Sequence, residues 1–398
     1  MTMRGYQRAD GRKGIRNTIV VGYLVECAHH VAREVALPFR DQDVHVIGFP
    51  GCYPNQYAET MMERLCTHPN VGAVLLISLG CESFNKYKLA HAVRQSGRPV
   101  HTIVIQAAGG TRKSIAEGQA FIAEQKARLA AAATVPMEPG ELIVGTVCGG
   151  SDGTSGITGN PAAGRAFDLL VEAGAACIFE ETGELIGCEH IMAERAVTPA
   201  LGAELEASVA KAARYYATLG YGSFAAGNAE GGLSTIEEKS MGAYAKSGAS
   251  PISGLIKPGD IPPRGGLYLL DVVPDGEVRF GFPNINDNAE IVELIACGSH
   301  VVLFVTGRGS VVGSAISPVV KICANPETYR RMEDDMDVDA GRILDGGATL
   351  DEVGREIRDL VLGLGAGGRT KSEELGHQEF VLTYKSFTPI GPACLPAA

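Results

Sequence analysis

The sequence predicts an α/β protein of two doubly wound, mostly parallel-sheet domains. Three observations carry this. Short β-branched apolar runs alternate with amphipathic stretches through the first third of the chain. A segment with two prolines and a glycine, Thr134-Val-Pro136-Met-Glu-Pro139-Gly140-Glu141, then breaks the rhythm. After it the same alternation resumes.

The runs at 18–25, 44–49, 73–79 and 101–106 are bounded by turn residues and are almost wholly apolar, the pattern of parallel strands covered on both faces. Helices are expected between them at 29–36, 57–66 and 86–95, with another at 113–131. The Pro/Gly segment ends a first domain placed at 1–138. In the second, 139–398, strands are expected at 142–148, 176–180, 267–273 and 301–306, with helices at 164–173, 200–219 and 350–362.

A chain of 398 residues exceeds the ~250–300 at which one core stops growing, so two domains also suit its length. Its 45% hydrophobic and 20% charged residues are those of a globular protein. A net charge of -11 with no run of Lys and Arg excludes a protein whose main partner is the nucleic-acid backbone. An anionic small molecule needs only a local pocket of donors. The N-terminus lacks the apolar core of a signal peptide, and no apolar run approaches the ~18 residues of a membrane span, so a cytoplasmic protein without membrane contact is expected. Its ten cysteines are then thiols or metal ligands rather than a disulfide framework. A homo-oligomer is expected.

The reactive residues stand where strands end. Cys27, Cys52 and Cys81 follow the first three strands, and Cys148 closes the first strand of the second domain. Ligands bind beyond the carboxyl ends of parallel strands, so these four can converge on one metal site with three of them as ligands. The plainer reading of a single cysteine is a small buried hydrophobe. His29 with His30 or Glu82 is the alternative ligand set, for a mononuclear ion.

After Cys148 runs a loop rich in glycine and hydroxyls: Gly149, Gly150, Ser151, Asp152, Gly153, Thr154, Ser155, Gly156, Ile157 and Thr158, with Asn160 at the helix start. Backbone amides at such a turn suit a carboxylate. Gly149, Gly150, Ser151, Ser155, Thr158 and Asn160 are therefore candidate substrate contacts, against a plain strand-to-helix turn. The loop has neither the Gly-Lys-Ser/Thr ending of a P-loop nor Gly-x-Gly-x-x-Gly spacing, which excludes the common nucleotide motifs. Arg308, after the strand at 301–306, can clamp a carboxylate with two parallel hydrogen bonds, or else form an ion pair with Asp335 or Asp337. Lys239 is a candidate base if burial lowers its pKa, against an ordinary solvated lysine beside Glu237 and Glu238. His29 and Asp152 complete the candidate catalytic groups.

Several segments resemble the altronate/galactarate dehydratase family. They include Gly5-Tyr-Gln-Arg-Ala-Asp-Gly-Arg-Lys-Gly14-Ile-Arg16-Asn17, Gly51-Cys52, Gly80-Cys81-Glu82, Cys148 through Asn160-Pro161, Glu238-Lys239-Ser240 and Thr306-Gly307-Arg308-Gly309-Ser310. The resemblance runs through nearly the whole chain. It implies an iron-dependent hydro-lyase that dehydrates a sugar-derived hydroxy acid, an aldonate or aldarate, to a 2-keto-3-deoxy acid. The iron is either an iron–sulfur cluster or mononuclear Fe2+. Such chemistry asks for a base at the carbon next to the carboxylate, a group to hold the enediolate, and an acid or Lewis acid for the departing hydroxide.

Two departures from the family pattern stand out. Family members often begin with a small SAF-type domain, and here the catalytic region starts at Gly5, which implies either a separate small SAF-type subunit, as in the related sulfolactate sulfo-lyase, or loss of that domain. The stretch from Asp271 to Asp287 also differs from the altronate pattern. A carbon–sulfur lyase of the sulfolactate type and a non-catalytic sugar-acid-binding subunit are the alternatives. The sulfolactate branch does not keep the Gly51-Cys52 and Gly80-Cys81-Glu82 segments.

Overall fold

The computed structural model describes residues 2–220, 225–278 and 285–387, so the part of the 271–287 stretch from 279 to 284 lies outside it. Among the described residues the chain forms three sheets.

The four-stranded sheet is all parallel. It comprises β3 (Thr18–Tyr23), β4 (Val44–Gly48), β5 (Val71–Ser78) and β6 (Val100–Val104), in the order β4-β3-β5-β6. Ile19, Val21, Leu75 and Ile77 face one side, with helices His29–Ala36 and Thr111–Ala130. Val20, Val74 and Leu76 face the other, with helices Gln56–Cys66 and Lys86–Gln95. This is the doubly wound arrangement expected from runs apolar on both faces. The fourth strand ends earlier than its sequence suggests: Ile105–Ala108 turns into a short helix.

The expected break also contains structure. Val135–Pro136 forms β7, which pairs antiparallel with β1 (Arg4–Gln7), itself paired with β2 (Lys13–Gly14). Two residues of pairing are too few to leave an alternation in the sequence.

The larger sheet is also parallel throughout. Its strands are β8 (Ile143–Cys148), β9 (Ala176–Phe179), β10 (Ile252–Ile256), β11 (Gly266–Leu270), β12 (Val301–Thr306), β13 (Val319–Cys323) and β14 (Val338–Asp339), ordered β10-β11-β9-β8-β12-β13-β14. Helices Gly159–Glu172 and Leu350–Gly365 cover one face. Helix Asp287–Ala296 covers the other and also packs on Gln56–Cys66. One apolar cluster thus joins both sheets, with Met61, Met62, Leu76, Val147, Ile178, Leu294 and Phe304 among its members.

That shared core has a chemical consequence. Eight of the ten residues of Asp287–Ala296 are buried, Glu290 and Glu293 among them. Carboxylates on a helix covered all round must find internal partners. Among the described residues no helix is long and apolar enough to cross a membrane.

Candidate active site

The strongest concentration of reactive groups lies at the carboxyl ends of β8 and β9. The Cys148 sulfur is buried, 3.2 Å from Glu181 Oε2, 3.3 Å from Glu184 Oε2 and 3.3 Å from Lys246 Nζ. Lys246 is fully buried and pairs with Glu181; Lys239 is buried and pairs with Glu184. Glu181 holds the left-handed conformation (φ 75°), which costs a non-glycine residue about 1–2 kcal/mol. The Cys148 backbone N–H, donating to Glu181 Oε2 over 3.1 Å, helps hold it there.

Behind this group, Glu180, Glu181 and Glu290 bring carboxylate oxygens within 4.8 Å of one another, and all three residues are buried. Both oxygens of Glu180 are buried without a hydrogen-bond partner among the described residues. Burial first, and Glu290 next, push Glu180 well above the usual carboxylate range. Burial pushes Glu290 up to about 7 against the pull of Lys385. Burial also pushes the Lys239 ammonium below its ordinary pKa, opposed by Asp287 and Glu290. Lys239 is therefore no solvated lysine, although two glutamates precede it.

The loop after Cys148 spends most of its polar groups on itself. Asp152 accepts from the Thr154 N–H (2.9 Å) and hydroxyl (2.6 Å), the Ser155 hydroxyl (3.3 Å) and Asn325 Nδ2 (2.9 Å). Oδ1 takes three of these donors and Oδ2 one, so Asp152 braces the loop. The Ser155 hydroxyl caps the Asp152 N–H, and the Thr158 hydroxyl reaches the Ala324 carbonyl over 2.7 Å. The Asn160 N–H bonds the Ser155 carbonyl. Asp287 comes so close to Gly149 that its Oδ2 occupies the place of a Cβ. Gly150 has φ +62°, and among the described residues neither its N–H nor that of Ser151 has a partner. The Ser151 hydroxyl points back to the Cys148 sulfur at 3.7 Å. The expected carboxylate cradle narrows from a whole loop to two amides beside Cys148.

Arg308 makes neither expected contact on the acidic run. It bonds the Gly227 carbonyl (2.6 Å) and Glu230 (3.1 Å), closing the loop's outer side. Asp335 and Asp337 instead face Lys321 and the Lys371 N–H.

The other three cysteines lie on neighbouring loops at the carboxyl edge of the small sheet, all exposed. Backbone bonds fasten the loops together: the Glu26 N–H donates to the Pro50 carbonyl (3.0 Å) and the Ser83 N–H to the Cys52 carbonyl (2.9 Å). No three of the four expected sulfurs stand within 4.8 Å of one another among the described residues. Around one tetrahedral ion with ~2.3 Å bonds they would be about 3.8 Å apart. The single-ion form of the four-cysteine site is not assembled, because Cys148 sits among carboxylates and lysines on the other sheet. The alternative ligands are not gathered either: among the described residues no group of three that includes His29, His30 or Glu82 lies within 4.8 Å of one another. His29 Nδ1 pairs with Glu26 at 3.0 Å and its ring stacks on Tyr23, while Glu82 accepts from the Ser78 hydroxyl and the Gly80 N–H.

The C-terminal segment links the two groups. Tyr384 stacks edge-on against Phe49 with its hydroxyl at Gly51, next to Cys52, and Lys385 is buried on Glu293 at 2.7 Å. The Tyr57 hydroxyl donates to the other Glu293 oxygen, also at 2.7 Å. Sequence reasoning missed Glu180, Glu181, Glu184, Lys246 and Lys385. The rule that singled out the cysteines reaches Glu180 and Glu181, which directly follow β9; nothing local marks the two lysines.

Comparison with known proteins places this arrangement. Residues 5–130 match the family model described as D-galactarate dehydratase/Altronate hydrolase, second domain. Residues 140–388 match D-galactarate/Altronate dehydratase, C-terminal. The chain is 33% identical to the (2R)-sulfolactate sulfo-lyase subunit beta of Chromohalobacter salexigens, over 96% of this chain and 97% of that one. It is 29% identical to the altronate dehydratase of Escherichia coli (strain K12), over 95% of this chain and 76% of the relative. It is 31% identical to the galactarate dehydratase (L-threo-forming) of the same organism, over 94% and 75%. The chain belongs to the D-galactarate/altronate dehydratase family and is an enzyme of the lyase class.

Proposed function

We propose that the chain is an iron-dependent hydro-lyase that dehydrates a sugar-derived hydroxy acid to a 2-keto-3-deoxy acid. The observation that carries this reading is the buried Cys148–Glu181–Glu184–Lys239–Lys246 cluster with Glu290 behind it, where burial lowers the pKa of the Lys239 ammonium and raises that of the Glu290 carboxyl. The unpartnered N–H groups of Gly150 and Ser151 hold the substrate carboxylate. Lys239, its pKa lowered by burial, takes the proton from the adjacent carbon. Glu290, carrying a proton for part of the time near neutral pH, delivers one to the departing hydroxyl. Burial of the cluster keeps water away from the enediolate.

Cys27, Cys52 and Cys81 would hold an iron–sulfur cluster: three exposed thiols on loops of adjacent strands, none with a hydrogen-bond partner among the described residues. Bound there, the cluster would supply Lewis acidity toward a substrate oxygen.

A second reading is favoured by one observation, the 33% identity to a sulfo-lyase subunit across nearly its whole length: release of sulfite from a sulfonated hydroxy acid. Anaerobic, iron-reconstituted protein is to be assayed against aldonates, aldarates and sulfolactate, with and without a co-encoded small subunit, scoring 2-keto acid and sulfite. Keto acid from a sugar acid is the expected product. Sulfite alone would select the second reading, and neither product would remove both.

A further inference from the structure

Between the two sheets, beyond the carboxyl ends of β10 and β11, lies a cavity of about 760 Å³ walled by Asn55, Tyr57, Lys257, Asp271, Asp275 and Lys385. It adjoins the buried cluster. Thr182, next to Glu181, directs its hydroxyl at Asp271 over 3.4 Å, and Lys385 reaches from the cavity wall to Glu293.

Three residues of this wall, Lys257, Asp271 and Asp275, close a ring of four charges with Lys211. Lys211 Nζ lies 2.6 Å from Asp271 Oδ2 and 2.8 Å from Asp275 Oδ1; Lys257 Nζ lies 2.7 Å and 2.9 Å from the same two oxygens. Each oxygen therefore bridges two ammoniums. Burial pushes Asp275 up, but the bonds from Lys211 and Lys257 outweigh it and hold its carboxyl at about 2. Lys385 is likewise committed to Glu293. On the wall itself three carboxylates, Asp260, Asp271 and Asp275, stand with two ammoniums, Lys257 and Lys385.

Such a wall disfavours a second anion, whose own charge adds to the excess. It suits hydroxyl groups well. An ammonium has three N–H donors, of which each ring lysine uses two among the described residues, and the carboxylate oxygens keep acceptor capacity. We infer that the Lys211–Asp271–Lys257–Asp275 ring binds the hydroxylated tail of the substrate and selects a polyhydroxylated monocarboxylic acid over an acid with an anionic group at both ends. This rests on the dehydratase reading above.

The test compares kcat/KM of the iron-reconstituted enzyme for a six-carbon aldonate and the aldarate of the same configuration, in the parent and in Asp275→Asn and Lys257→Met variants. The Asp275 side chain is 73% exposed, so its substitution spares the fold, and a thermal melt checks both variants. The parent should favour the aldonate by roughly tenfold or more, about 1.4 kcal/mol. Asp275→Asn removes one negative charge from the ring and should lower the aldonate-to-aldarate ratio by about tenfold. Lys257→Met should raise KM for the aldonate more than it lowers kcat. A parent that prefers the aldarate, or a ratio unmoved by Asp275→Asn, overturns the role of the ring while leaving the dehydratase reading intact. Keto acid from neither substrate removes both.

Discussion

Lys246 Nζ lies 3.3 Å from Cys148 Sγ, although 98 residues separate them. The same ammonium pairs with Glu181. Lys246 is fully buried, on the short turn Ala245–Ser247 after helix Ile236–Tyr244, and Cys148 ends a central strand. A charge so deep persists only beside its counter-charge.

Replacing Lys246 with Met therefore leaves Glu181 with a buried, uncompensated carboxylate. The expected loss is about 3–5 kcal/mol, the cost of breaking a buried pair from one side. Urea denaturation of the parent and variant measures it, and an unchanged midpoint would show that the pair does not hold the site.

Lys239→Met keeps the side-chain length and removes the proposed base. Turnover should fall about 10²–10⁴-fold with KM changed much less, because the lost interaction belongs to proton transfer rather than to binding. Steady-state kinetics beside a circular-dichroism melt separates this from misfolding. Turnover within threefold of the parent would assign the base elsewhere.

The cysteines should divide into two classes. Changing Cys27, Cys52 or Cys81 to Ser should each deplete bound iron and acid-labile sulfide in anaerobically prepared protein. Cys148→Ser should keep both and lose turnover. Iron retained by all three of the first set, or lost with Cys148→Ser, would reverse the assignment.

Stability should fall in weak acid, and His300 is one cause. Its Nε2–H donates to the Lys13 carbonyl (2.9 Å) and its Nδ1 accepts from the Ile143 N–H (3.0 Å), so a second ring proton would face a donor. Burial lowers its pKa to about 4, against about 6.5 in an unfolded chain. The folded state thus binds fewer protons in this window. The contribution is complete above about pH 6.5 and is lost as pH falls toward 4, reaching roughly 3 kcal/mol. Denaturation midpoints at pH 7.5, 6.5, 5.5 and 4.5 should be level and then decline. His300→Gln should start lower and decline less; an equal slope would clear His300.

Much of this protein was legible in its sequence because the relevant information was local. Runs such as Val71–Ser78 are apolar on both faces, which only a strand buried between helix layers requires, and turns mark their ends. The strand-end rule then led to Cys27, Cys52, Cys81 and Cys148. Strands as short as Val135–Pro136 and Val338–Asp339 left no such signature. What only the tertiary structure decided is which charges meet. Lys239 reads as solvated beside Glu237 and Glu238, yet its helix turns it inward onto Glu184. Asp152 is a candidate acid–base group in the sequence, yet it braces its own loop and takes a further donor from Asn325, 173 residues away. Glu290 and Glu293, which no sequence reading singled out, lie on a helix enclosed between the large sheet and Gln56–Cys66. Periodicity reports how a segment meets its own layer. Burial of a charge depends on what the rest of the chain lays over it, and that is settled only when the two sheets share a core.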